Sequence, residues 1–214
     1  MIRPATALPS ETNASAGELR GLLQQLGATD ENFAFTGVFP ELQEVNSVPA
    51  LKKFLLDYQT QVLIPVELLA IHRAYNHTLR NECRELVALD RTLADEARLK
   101  NFAGASKRVG HIHLRRFRPM RERFVQRYLH AVDAGEANGW HTLVYGMSIA
   151  VYSLPLRQGL NFYAEQVLKG FAFTATLAHR LPKTATDELW RELSPSCAAA
   201  VEQFFASQTF QIAR

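Results

Sequence analysis

The sequence predicts an all-α fold, a single-domain helical bundle of about eight to ten helices, and three observations predict it. Apolar residues recur at helical spacing along most of the chain, and no run of alternating strand residues is flanked by hairpin turns. The 214 residues, 47% hydrophobic and 21% charged, suffice for one core of full size and fit one domain better than two.

Residues 1–17 mix proline, serine, threonine and alanine without an apolar period and read as a flexible N-terminal tail ahead of a helical domain over 18–206. The first helix, Glu18 to Leu26, aligns Leu19, Leu22, Leu23 and Leu26 and stops at Gly27. A non-periodic aromatic segment follows, with Phe33, Phe35 and Phe39 around Gly37. Ser47 reads as the N-cap of a helix with Pro49 in its first turn and a stripe of Leu51, Phe54, Leu55, Tyr58 and Val62. Pro65 begins or kinks the next helix, which carries Leu68, Leu69, Ile71 and Tyr75, and a shorter helix reaches Leu89. Asp95 to Phe117 reads as a long basic helix, Pro119 as its end or a kink, and Phe124 to Val132 as the helix after it. Beyond the loop "DAGEANG" come Trp140 to Tyr152 and a long helix opened by Pro155. Pro182 breaks that helix, two short ones follow at Thr186 to Leu193 and Pro195 to Ala206, and 207–214 is a C-terminal tail.

Several function classes lack their chemistry here. Cys83 and Cys197 stand far apart and outside any CxxC spacing, which argues against a zinc knot or disulfide scaffold and for a reducing, cytoplasmic setting. No apolar h-region marks a secretory signal. The longest apolar stretch, Leu143 to Leu156, falls short of the roughly 20 residues that span a bilayer, so no membrane partner is expected. "GASKRVG" is not a phosphate-binding loop, no Glu-x-x-His pair suggests a di-iron site, and neither His72 with His77 nor His111 with His113 is spaced to share an ion on a helix. The expectation is no catalytic residue, no metal site and no cofactor of the protein's own.

Three features invite a functional reading. Arg98 to His130 holds ten of the 24 basic residues and one acid, Glu122, so the chain is strongly polarised. Arg115 and Arg116 at its centre read as a solvated basic face, a nucleic-acid surface or the seat of an acidic protein partner. The aromatic segment reads as a core cover or a docking surface. In "GWHTLVYG", Gly139 ends a turn, His141 caps or hydrogen-bonds in the first helical turn, and Gly146 lets another helix approach closely. A small-molecule or haem-binding bundle enzyme using His72, His77 or His141 stays open as an alternative, as does a basic nucleic-acid-binding helical protein.

The order of features resembles the urease accessory protein F (UreF) family. The residues that carry the resemblance are "LLQQL" at Leu22 to Leu26, "FAFTGVFPELQEV" at Phe33 to Val45, "VPALKKFL" at Val48 to Leu55, "EARLKNFAGASKRVGHIHLRRF", and the stretch from "GWHTLVYGMSIAVYSLPL" through "LAHRLP". Thr142 stands where the family usually has proline after the histidine. The resemblance implies a dimeric, cytoplasmic, non-enzymatic chaperone. It would bridge the nickel-carrying GTPase of urease maturation (UreG) to a second accessory protein (UreD, also called UreH) and to apo-urease, handling nickel only through these partners and binding no nucleic acid. Partner-binding residues carried over are Phe35, Gly37 and Glu41 in the aromatic segment, Ser106, Gly110, Arg115 and Arg116 in the basic helix, and Gly139, His141, Tyr145 and Gly146 at the next helix start.

Overall fold

In the computed structural model, Leu42 and residues 44–212 are described, with side chains as far as Gln208. The tail at 1–17, the helix expected at Glu18 to Leu26, and Phe33, Phe35, Gly37, Phe39 and Glu41 lie outside the described residues. Ser47 caps the first described helix as its spacing suggests, accepting from the Ala50 amide at 3.4 Å, with Pro49 in the first turn. That helix, α1, does not stop at Pro65. It runs from Val48 to Leu79, α-helical over Val48–Tyr58, π-helical over Gln59–Leu68 and α-helical again over Leu69–Leu79. The wider π turn takes in Pro65, whose ring and missing amide would break an α-helical ladder, and the chain continues because Leu63, Val66, Leu68 and Ile71 are all buried. The expectation of two helices divided at Pro65 is thus corrected.

Six further helices follow among the described residues: α2 Cys83–Ala94, α3 Ala103–Arg116, α4 Arg123–Asp133, α5 His141–Val151, α6 Leu156–His179 and α7 Lys183–Ile212. The all-α class stands, with seven described helices in place of eight to ten. The basic helix is shorter than expected, because a 3-10 turn at Ala97–Leu99, capped by the Glu96 carboxylate, precedes it. The two short helices expected near the end are one. Leu189, Leu193, Cys197, Val201 and Phe204 form a continuous buried stripe through Pro195, and burial of about 1.5–3 kcal/mol per large side chain outweighs the roughly 3 kcal/mol that an interior proline costs. The tail expected from 207 begins inside this helix, which continues to Ile212.

The hub of the bundle is α1, which packs against α2, α5, α6 and α7. Between α1, α3 and α6 runs α5, with every residue from His141 to Ala150 buried, so this helix is core on all sides rather than amphipathic. Against α6 lies α7, and α2 pairs with α4. By length and composition α1 is apolar enough to cross a bilayer, but it carries the buried Glu67 and gives its apolar side chains to this core.

Candidate functional site

The turn that leads into α5 is where α2, α3 and α4 meet it, and one carboxylate holds the meeting together. Asp90 of α2 is fully buried. It accepts from the Tyr128 hydroxyl of α4 at 2.7 Å, the Asn138 side-chain amide at 2.9 Å and the Gly139 amide at 2.9 Å, and the Asn138 amide points at it as well. The Asp90 carbonyl accepts from Trp140 Nε1 at 3.1 Å. Four donors thus replace the water that a buried carboxylate gives up.

The other wall is α3. Ser106 Oγ accepts from the His141 amide at 3.2 Å, so α5 is capped from across the fold and not by its own preceding residue, Trp140. A hydrogen bond of 2.8 Å joins His111 Nε2 to the Asn138 carbonyl, and Lys107 Nζ sits 4.9 Å from the Trp140 ring centre. Gly139 has φ +69°, in the left-handed region. At Gly110 a Cβ would run into the Gly139 carbonyl oxygen and the Trp140 and His141 backbone, so the two chains touch only because that side chain is absent. One helix further on, a Cβ at Gly146 would lie 2.5 Å from the Ile71 carbonyl oxygen of α1.

Six of the carried-over residues, Ser106, Gly110, Gly139, His141, Tyr145 and Gly146, therefore belong to one packed junction around α5. Tyr145 donates to the Gly159 carbonyl at 3.0 Å, and its ring centre lies 6.1 Å from that of His141. His141 is 1% exposed, its ring 5.2 Å from His113 and 5.8 Å from Tyr163, and burial holds it well below the usual histidine pKa, with His113 adding to the effect. Burial, with Arg116 nearby, lowers His113 to about 4, and neither of its ring nitrogens has a hydrogen-bond partner among the described residues. Both rings are neutral side chains in an apolar interior. Arg115 and Arg116 are exposed residues of α3, and Arg116 is close enough to the junction to act on His113.

Two further histidines are engaged by protein neighbours. His72 packs against Phe204 at 6.2 Å and lies 3.4 Å from the Asn76 amide, while His77 Nδ1 meets the Glu82 carboxylate at 2.8 Å. Among the described residues no group of three or more His, Cys, Asp or Glu side chains could hold a metal ion. A second buried carboxylate, Glu67 in the π-helical turn, accepts from Tyr58 at 2.7 Å and also faces the Tyr163 hydroxyl. Burial pushes its pKa up to about 7 against the lowering effect of those hydroxyls.

Reading by residue type missed both carboxylates. Asp90 occupies a place in the apolar stripe Cys83, Leu86, Asp90, Leu93, and a charge in such a place is the signal that could have found it. Glu67 gave no such signal, because the π turn that aims it inward breaks the 3.6-residue period.

No curated protein matches the chain. The family model of UreF matches residues 45–194. That stretch takes in α1 to α6, the start of α7 and the whole junction around α5, and over so much of the bundle the match establishes membership: the chain belongs to the UreF family of urease accessory proteins.

Proposed function

We propose that this protein is a cytoplasmic assembly chaperone of urease maturation that bridges the nickel-delivering GTPase to a second accessory protein and to apo-urease. The observation that carries the reading is the family match across the bundle. The junction adds to it, since the residues resembling the family's motifs serve to lock α5 among its neighbours. On this reading the bundle is a rigid platform. Its task is to hold two partners in register while nickel, as cargo, passes between them, and it works as a homodimer without chemistry of its own.

A rigid platform suits such a task because partners that dock on a preformed surface lose less freedom on binding. The test is co-purification of the full chain with the GTPase and the second accessory protein encoded beside urease in the same genome. A stable complex containing all three is expected. A folded chain that binds neither protein, with or without guanine nucleotide and nickel, overturns the reading.

A further inference from the structure

Away from the junction, α2 and α4 leave a groove of about 670 Å³ between them. Its floor is apolar: Cys83 and Ala131 are buried and Val87 is half-buried. Four exposed guanidinium groups rise along its two sides, Arg84 and Arg91 from α2, Arg123 and Arg127 from α4. The pattern follows from helical spacing, since residues seven apart on α2 and four apart on α4 share a face. Arg91 donates to the Glu136 carbonyl at 2.8 Å, and Glu136 is the one acid lining the groove among the described residues. None of Arg84, Arg123 and Arg127 forms an ion pair among the described residues.

An apolar floor between two rows of cations fits one kind of occupant best. Seven residues of α2 rise about 10 Å, two turns of an incoming helix. Such a helix would lay small apolar side chains on the floor and carboxylates beneath the arginines. Single-stranded nucleic acid gains affinity by stacking successive bases on aromatic rings, and among the described residues no Phe, Tyr or Trp lines this groove and His130 is its one aromatic ring. We infer that the groove between α2 and α4 docks an acidic amphipathic helix of a protein partner, seated on Cys83, Val87 and Ala131 and clamped by Arg84, Arg91, Arg123 and Arg127. The inference rests on the assembly reading for the source of that helix and not for the binding itself, so each can fail without the other.

The test is fluorescence anisotropy with the full chain and a labelled synthetic helical peptide, leucines and alanines on one face and glutamates on the other. Saturable binding is expected, at least tenfold weaker for the Arg84→Glu/Arg127→Glu variant and within twofold of wild type for Arg115→Glu/Arg116→Glu. Arg84→Gln/Arg127→Gln is expected to weaken binding in the same direction, and unchanged thermal melts show that both groove variants fold. The inference is overturned if the peptide does not bind, or if its leucine-to-serine version binds equally well. It is also overturned if the two arginine pairs matter alike, or if a single-stranded oligonucleotide displaces the peptide through Arg84 and Arg127. Retained peptide binding with no urease partner captured would sink the assembly reading and leave the groove assignment standing.

Discussion

Gly110 and Gly104 sit on the same helix and have opposite expected responses to alanine. A methyl group at Gly110 meets the Gly139 carbonyl and the backbone beyond it, whereas at Gly104 it meets nothing within 4 Å. Gly110→Ala is therefore expected to destabilise the fold by about 3 kcal/mol, and Gly104→Ala to stabilise it by about 0.5 kcal/mol, as read from urea unfolding midpoints. Asp90→Ala leaves the Tyr128, Asn138 and Gly139 donors without their acceptor, and a loss of about 3–5 kcal/mol is expected from the same measurement. Two of the buried titrating groups, Glu67 and His113, act in opposite directions. Folding raises Glu67 from its ordinary 4.5 to about 7, so the folded chain keeps a proton that the unfolded chain sheds, and stability falls as pH rises through that window. Glu67→Gln is expected to exceed wild type by about 3 kcal/mol at pH 8 and to match it below pH 4.5. His113 is lowered from 6.5 to about 4, so the unfolded chain takes up the proton first and stability is lost as pH falls through that range. His113→Leu is expected to flatten this acid limb in a pH series of thermal melts.

At the scale of the element, prolines proved weaker punctuation than their chemistry suggests. Pro65 and Pro195 both lie inside helices, because the apolar side chains on either side were committed to one core and the cost of one interrupted backbone turn was smaller. Those commitments involve partners distant in sequence, Ile71 with Gly146 among them, which a reading of local periodicity does not contain. What was local was legible: the Ser47 cap, the proline-opened α6 and the glycine turn before α5 all fall where spacing and residue type place them. The end of α6 offers its own test. Arg180 is exposed and closes the helix at φ +53°, a conformation that glycine adopts without its side-chain strain. Arg180→Gly is expected to raise stability by about 1 kcal/mol, and a fall would show that the Arg180 side chain contributes more than its backbone strain costs.

For the whole molecule, the sequence motifs and the surface have separated into two roles. Gly110, Gly139, His141 and Gly146, which helped make the family resemblance legible, are interior, Ser106 beside them is half-buried, and together they fix where α3 and α5 stand relative to α1 and α2. The exposed arginines of α2 and α4 belong to one groove only through the pairing of two helices separated by some thirty residues, which brings their rows together. A scaffold of this construction should tolerate change on its surface until a partner is present, and should fail as a unit when the junction is opened. The central claim is that this scaffold serves urease maturation. The most direct measurement is the nickel content and activity of urease produced from its own operon with the UreF-family gene deleted and this chain supplied in its place. Restored nickel loading and activity, lost again with Asp90→Ala, is the expected result. Urease that stays nickel-free beside a soluble, folded chain would contradict it.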